Sequence, residues 1–309
     1  MEKLVIQSRN SLKENQGFLN IKVNDFSKNL RNKHAKSYLH SCFKQAMEFS
    51  EIQEKTSYET RPLLQFYSLV SLCKVYCIIK NHTLNVTLTQ LESLFSSHGA
   101  SSQTRDDIRL NRSGTFVEFA RLVGFPVTSG QLYSLKQLYE RIPDLKSLIK
   151  VVYSIEGDCI KVLSENVWSL DTGIIDCNLS NEYIVSNLED NTSILSNYPE
   201  LNLELDDHEK NFWSVKSGYN YSDFLQFDCN LNLYLDKSRN GIKEILAIYL
   251  IFLKYSSLVR YKPKVWYEKM SSNEFLIIQN VLEYLFPKFW SLVTKELTNK
   301  NTYSYYTVS

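Results

Sequence analysis

The stretch RPLLQFYSLVSLCKVYCII, residues 61–79, decides the reading of this chain. Pro62 suits a first helical turn, where its missing N–H would have no partner anyway. From there Leu63, Phe66, Tyr67, Val70, Cys73 and Cys77 recur at three- and four-residue spacing, the period of one helix face. Leu64, Leu69, Leu72, Val75 and Ile78 fill its other sides. A helix apolar nearly all round belongs at the centre of a bundle, so this stretch predicts a helical core.

Its neighbours follow from that. Upstream, Leu39, Phe43, Ala46 and Phe49 form one helical stripe from Lys36 on, whereas residues 1–35 carry few periodic apolar positions and read as a loosely ordered arm. Downstream, Asn81 to Gly114 is looser, with one short apolar helix (Leu88 to Phe95) before His98-Gly99. Leu132 to Tyr139 and Leu145 to Ile149 read as short helical pieces. The period then changes. Lys150 to Ile155 and Cys159 to Leu163 flank Glu156-Gly157-Asp158, a hairpin signal, and strand-like pieces continue at Phe212 to Lys216 and Phe224 to Leu235. Helical character returns at Ile242 to Tyr261, Asn273 to Leu285 and Lys288 to Leu297. The expected fold class is α+β: a mainly helical unit formed by both chain ends, 36–149 and 241–298, with an acidic β-rich region inserted at 150–240.

Composition agrees with a packed fold. The 309 residues are 43% hydrophobic and 22% charged, with only 9 Gly and 6 Pro, which excludes a fibrous or disordered chain. The first residues lack the apolar core of a secretory signal. The run Ile245 to Leu253 is far shorter than the roughly 20 apolar residues that span a bilayer. A cytoplasmic protein without a membrane partner is expected. Cys42, Cys73, Cys77, Cys159, Cys177 and Cys229 then read as free thiols in a reducing compartment. The net charge of +1 conceals an asymmetry: residues 151–240 hold 5 Lys/Arg against 16 Asp/Glu, the rest 30 against 18. Either the two units attract each other within the monomer, or the basic one meets a phosphate-bearing partner whose access the acidic one limits.

Phosphate-binding glycine loops, His-Glu-x-x-His, paired Cys-x-x-Cys and a nucleophile elbow do not occur in the sequence. Cys73, Cys77 and His82 lie close enough in sequence to gather on a metal, but are read as structural, and neither metal nor cofactor is expected. Three features remain, each with a plain alternative. Arg61 opens a helix, where a cation needs an anion or a carboxylate beside it, and Lys74 further along needs a partner or room to snorkel. His98 before Gly99 is either a turn or a group that moves protons near neutral pH. Arg260-Tyr261-Lys262-Pro263-Lys264-Val265-Trp266 closes a buried helix; its cations favour the last carbonyls, and alternating with Tyr261, Trp266 and Tyr267 they also suit phosphate contact with base stacking.

In this order these features resemble the YaaC-like family of bacterial proteins. The residues that carry the likeness are Arg61-Pro62-Leu63-Leu64 with Tyr67, His98-Gly99, and Ser257-Leu258-Val259-Arg260-Tyr261 followed by Pro263 and Trp266. Tyr38 to Ala46 and Arg141 to Leu145 are also similar, so that the resemblance spans about residues 36 to 298. Phe66 stands where the family has a second Tyr, and residues 178–235 match poorly. The resemblance implies a cytoplasmic bacterial protein and supplies positions rather than chemistry. The helix and its His-Gly are faintly similar to HEPN-type domains as well. Those ribonucleases pair an Arg with a His on one helix, at a spacing that Arg31 with His34 or His40 does not have.

The function expected is a nucleotide- or nucleic-acid-binding accessory protein, with Arg61, Tyr67, Lys74, Arg260, Tyr261 and Trp266 around a basic cleft. Alternatives are a structural or protein-interaction scaffold, for instance in phage defence, and a phosphodiester hydrolase with His98 as general acid or base and Arg61 and Arg260 on the phosphate.

Overall fold

In the computed structural model the described residues are 2–81, 86–102, 104, 106–155, 157, 241–298 and six strands between 159 and 236. Most of them are helical. The chain opens on a long helix, α1 (Glu2–Asn29), where a loosely ordered arm was expected. Its buried stripe runs Leu12, Asn15, Gln16, Leu19, Val23. Two of those positions are amides, which hid the period from a hydrophobicity reading. Burial is still satisfied there: Gln16 Nε2 donates to Ser50 Oγ at 3.0 Å on the next helix.

That helix, α2 (Lys33–Gln53), starts where the Asn32 side-chain oxygen accepts from the N–H groups of His34 and Ala35. α3 (Arg61–Lys80) runs antiparallel to it. Gln65 bonds Gln53, Ser68 bonds the Ala46 carbonyl and Ser71 bonds Gln45, so rising numbers on one helix meet falling numbers on the other. α3 is long and apolar enough to cross a membrane, but 78% of that window is buried inside the fold, as a central core helix requires.

α4 (Leu88–Leu94), opened by a Thr87–Gln90 capping box, leads into β1 (Ala100–Ser102) and β2 (Asp107–Leu110). After α5 (Thr115–Leu122), β3 (Leu132–Ser134) joins β2, giving a three-stranded antiparallel sheet in the order β1-β2-β3. Residues 132–139, expected to be helical throughout, are thus split. Ser134 ends the strand and caps α6 (Leu135–Glu140) through a box with Gln137.

A 3₁₀ turn (Pro143–Leu145) precedes α7 (Lys146–Tyr153). The hairpin expected at 150–163 does not form. Leu145 and Ile149 are buried and Leu148, Val152 and Tyr153 half-buried, a helical period that carries the helix to left-handed Ser154. β4 (Cys159–Val162) pairs instead with β9 (Leu233–Asp236), and β9 with β8 (Leu225–Phe227). β5 (Tyr183–Ser186), β7 (Phe212–Val215) and β6 (Leu203–Leu205) form a further antiparallel sheet. The acidic loops expected in this region lie outside the described residues.

The chain returns to helix with α8 (Glu244–Tyr261), α9 (Pro263–Met270), α10 (Glu274–Asn280), a π-helical turn (Val281–Leu285) and α11 (Phe286–Thr298). One buried cluster draws on both ends of the chain, from Leu12 to Ile149 and from Ile242 to Leu297. α3 and α8 are buried on nearly every side, and α2, α5 and α11 surround them.

Candidate functional site

Two helices and one turn build the site. On α3, Tyr67 and Lys74 are two turns apart and share a face. Both are half-buried. The turn at His98-Gly99 is held from three sides. The first N–H groups of α5 lack partners within their own helix. Thr115 N donates to the Ser97 carbonyl at 2.9 Å and Phe116 N to the His98 carbonyl at 3.0 Å. The Tyr249 hydroxyl, from α8, donates to the same His98 carbonyl at 3.1 Å. Gly99 has φ +81°, and a Cβ there would lie 2.8 Å from Phe116 N, so glycine is required.

Thus fixed, the His98 ring meets Phe66 edge-on at 5.0 Å between centroids and lies 6.3 Å from Tyr67. Arg260 reaches the group from the last turn of α8. Its Nη1 donates to the Tyr67 hydroxyl at 3.1 Å and its Nε to the Ser256 carbonyl at 3.3 Å. The guanidinium lies 4.9 Å from the Tyr261 ring centroid and 5.7 Å from that of Tyr67. Burial lowers the His98 pKa below its ordinary value, and the positive charges of Arg260 and Lys74 lower it further. The neutral imidazole is thereby favoured over the charged form. Among the described residues no carboxylate pairs with Lys74 or Arg260. Among the described residues this cluster is positive, half-buried at Tyr67, Lys74, His98 and Arg260, and has no carboxylate paired to its cations.

Tyr67, His98, Arg260 and Tyr261 come together, with Lys74 two turns from Tyr67 on the same face of α3; Arg61 and Trp266 stand apart. Arg61 pairs with Glu283, stacks on Tyr58 at 4.7 Å and donates from Nε and Nη2 to the Thr56 carbonyl. It is the neutralised cation of the plain alternative. Trp266 is buried against Tyr255, with centroids 5.3 Å apart, and offers no face to a ligand. Cys73 and Cys77 are core thiols whose pKa burial raises well above the usual range, so they remain protonated, and His82 lies outside the described residues.

Sequence reasoning missed Lys254. It is fully buried on α8 and donates to Ser102 Oγ (2.8 Å) and to the carbonyls of Thr104 (2.7 Å) and Asp107 (3.0 Å). Burial, then the charge of Lys262, pushes its amine down to about 8. Lys262 also donates to the Thr104 carbonyl, at 3.1 Å, and Lys269 pairs with Asp106 and Glu274. Three cations, one on α8, one on α9 and Lys262 between them, thereby fix the link between β1 and β2, directly after the His98 turn. The available signal was a cation in the middle of the helix, directly after the apolar run Ile245 to Leu253.

No curated protein and no solved structure matches the chain. The model of the YaaC-like Protein family matches residues 7–297, a span that includes every residue of this cluster. The resemblance drawn from Arg61-Pro62, His98-Gly99 and the Arg260 to Trp266 element is thereby established: this chain belongs to the YaaC-like family.

Proposed function

We propose that the chain is a cytoplasmic binding or accessory protein in which Tyr67, Lys74, His98 and Arg260 form a recess for a phosphate-bearing ligand, a nucleotide or a nucleic acid. The observation that carries this reading is that Arg260, from α8, bonds Tyr67 beside His98 while Lys74 lies on the same face of α3, with no carboxylate paired to either cation among the described residues. Half-buried charge is costly unless countered, and a bound phosphate counters both cations at once. The excess of Lys and Arg outside residues 151–240, 30 against 18 acids, favours approach of such a ligand. The hydrolase reading needs Arg61 beside His98 and Arg260, and Arg61 is committed to Glu283. The scaffold reading makes Arg260 only a brace for Tyr67.

Titration of labelled ATP and labelled RNA against Arg260→Gln and Lys74→Gln separates these. Each variant is expected to bind roughly tenfold or more weakly, as loss of a charge-assisted hydrogen bond implies. Melting temperature should move by no more than about 2 °C, as for a surface change. Absence of salt-sensitive binding by the unaltered protein would defeat the proposal. Binding lost only in step with unfolding would favour the scaffold.

A pH dependence follows from the same geometry. A bound phosphodiester, whose own charge is constant between pH 5 and 8, offsets Arg260 and Lys74 and lets His98 take up a proton more readily. By linkage, binding should then tighten as pH falls below about 6.5. The free protein behaves oppositely: with a depressed folded pKa, His98 costs stability as pH falls through the same range, because the unfolded chain binds that proton better. Affinity measured at pH 7.5, 6.5 and 5.5 should rise in that order, and His98→Asn should flatten the trend.

A further inference from the structure

We infer that the occupant is a single-stranded nucleic acid that leaves the recess over Tyr261 and continues along α9. This rests on the reading of the recess as a phosphate site. Arg260 faces two ways, bonded to the Tyr67 hydroxyl inside and lying against the Tyr261 ring outside. Tyr261 is 70% exposed and Tyr267 55% exposed, although both rings are large enough to be worth burying. On α9, Pro263, Lys264 and Tyr267 point to solvent, while Trp266 and Lys269 turn inward. Exposed rings and an exposed cation therefore follow one another along the chain from Arg260. Glu268 is the single acid between residues 260 and 270.

This is the chemistry of a strand-tracking surface: cations for the backbone, and aromatic faces on which any unpaired base can stack. A duplex hides its base faces and cannot use the rings. A mononucleotide fills the recess but has no second base for Tyr267, which belongs to the next helix. An acidic peptide would satisfy the cations and leave both rings exposed.

Fluorescence anisotropy with a labelled RNA strand of about a dozen nucleotides, the same sequence as a duplex, and labelled ATP tests the inference. The single strand is expected to bind at least about tenfold more tightly than ATP or the duplex. Tyr267→Ala, at an exposed position that leaves folding intact, should weaken the single strand about tenfold and leave ATP unchanged. If ATP binds through Arg260 but the single strand binds no better, or is indifferent to Tyr267→Ala, the strand-tracking surface is wrong and the phosphate recess stands. If none of the probes loses affinity in Arg260→Gln, both are wrong.

Discussion

Lys288→Met is expected to lower the free energy of unfolding by about 3–5 kcal/mol. Lys288 on α11 places its ammonium 2.6 Å from Asp144 Oδ2, in the 3₁₀ turn, and 2.5 Å from Glu244 Oε1 at the start of α8. All three side chains are buried. Burial alone would pull the lysine pKa down, but the two carboxylates outweigh it and hold the amine above the ordinary lysine range. Removing the ammonium leaves two carboxylates buried without the cation that they share. Breaking a buried ion pair is costly for that reason, whereas replacing a complete network by apolar groups is often neutral. Urea unfolding of Lys288→Met should therefore show a much lower midpoint, and adding Asp144→Asn and Glu244→Gln should recover a large part of the loss. The penalty should also shrink at mildly acidic pH, where the two carboxylates, deprived of the shared ammonium, take up protons more readily. A loss below about 1 kcal/mol at pH 7 would mean that water reaches the site and the charges are not interdependent.

The second large effect concerns the turn that carries His98. Gly114→Ala is expected to cost about 3 kcal/mol and to weaken ligand binding in whatever fraction remains folded. Gly114 precedes α5 with φ +119° and ψ −179°, a region that only glycine occupies readily. A Cβ there would stand 2.5 Å from Gly99 N and 2.8 Å from Gly99 Cα, contacts with backbone that no side-chain rotation relieves. The methyl group must push the His98-Gly99 turn away from the α5 N-terminus, breaking the bonds to the Ser97 and His98 carbonyls. Thermal melting should drop, and in the folded fraction the His98 resonances should move. A variant that melts normally with unchanged His98 signals would show that the turn accommodates the methyl group and does not set the site.

Much of this molecule could be read locally. Pro62, the all-round apolar face after it and the stripe of Leu39, Phe43 and Ala46 identify α3 and α2 from composition and period alone, and the structure has both. The run around Ile245 similarly identifies α8. Errors arose where a local pattern was ambiguous. The buried amides Asn15 and Gln16 interrupt the stripe of α1, and residues 150–153 are apolar enough for either helix or strand. In the second case the packing of Ile149 decided for helix.

The site was legible only as a set of candidates. Arg61 and Arg260 look alike in the sequence, each a cation near a helix end and beside tyrosines. Their fates diverge because Glu283, 222 residues away, folds back onto Arg61, while Arg260 meets the hydroxyl of Tyr67 and no acid among the described residues. Trp266 goes inward and Tyr267 outward for a similar reason, the side of α9 that faces Tyr255. The sequence by itself determined that α2, α3 and α8 are helices, that α3 lies at the centre and α8 is buried, and to which family the chain is similar. The tertiary structure alone decided which of these cations meets a carboxylate: Arg61 does, and Arg260 does not among the described residues. Helix period is a property of neighbours along the chain, whereas neutralisation of a charge depends on distance through space.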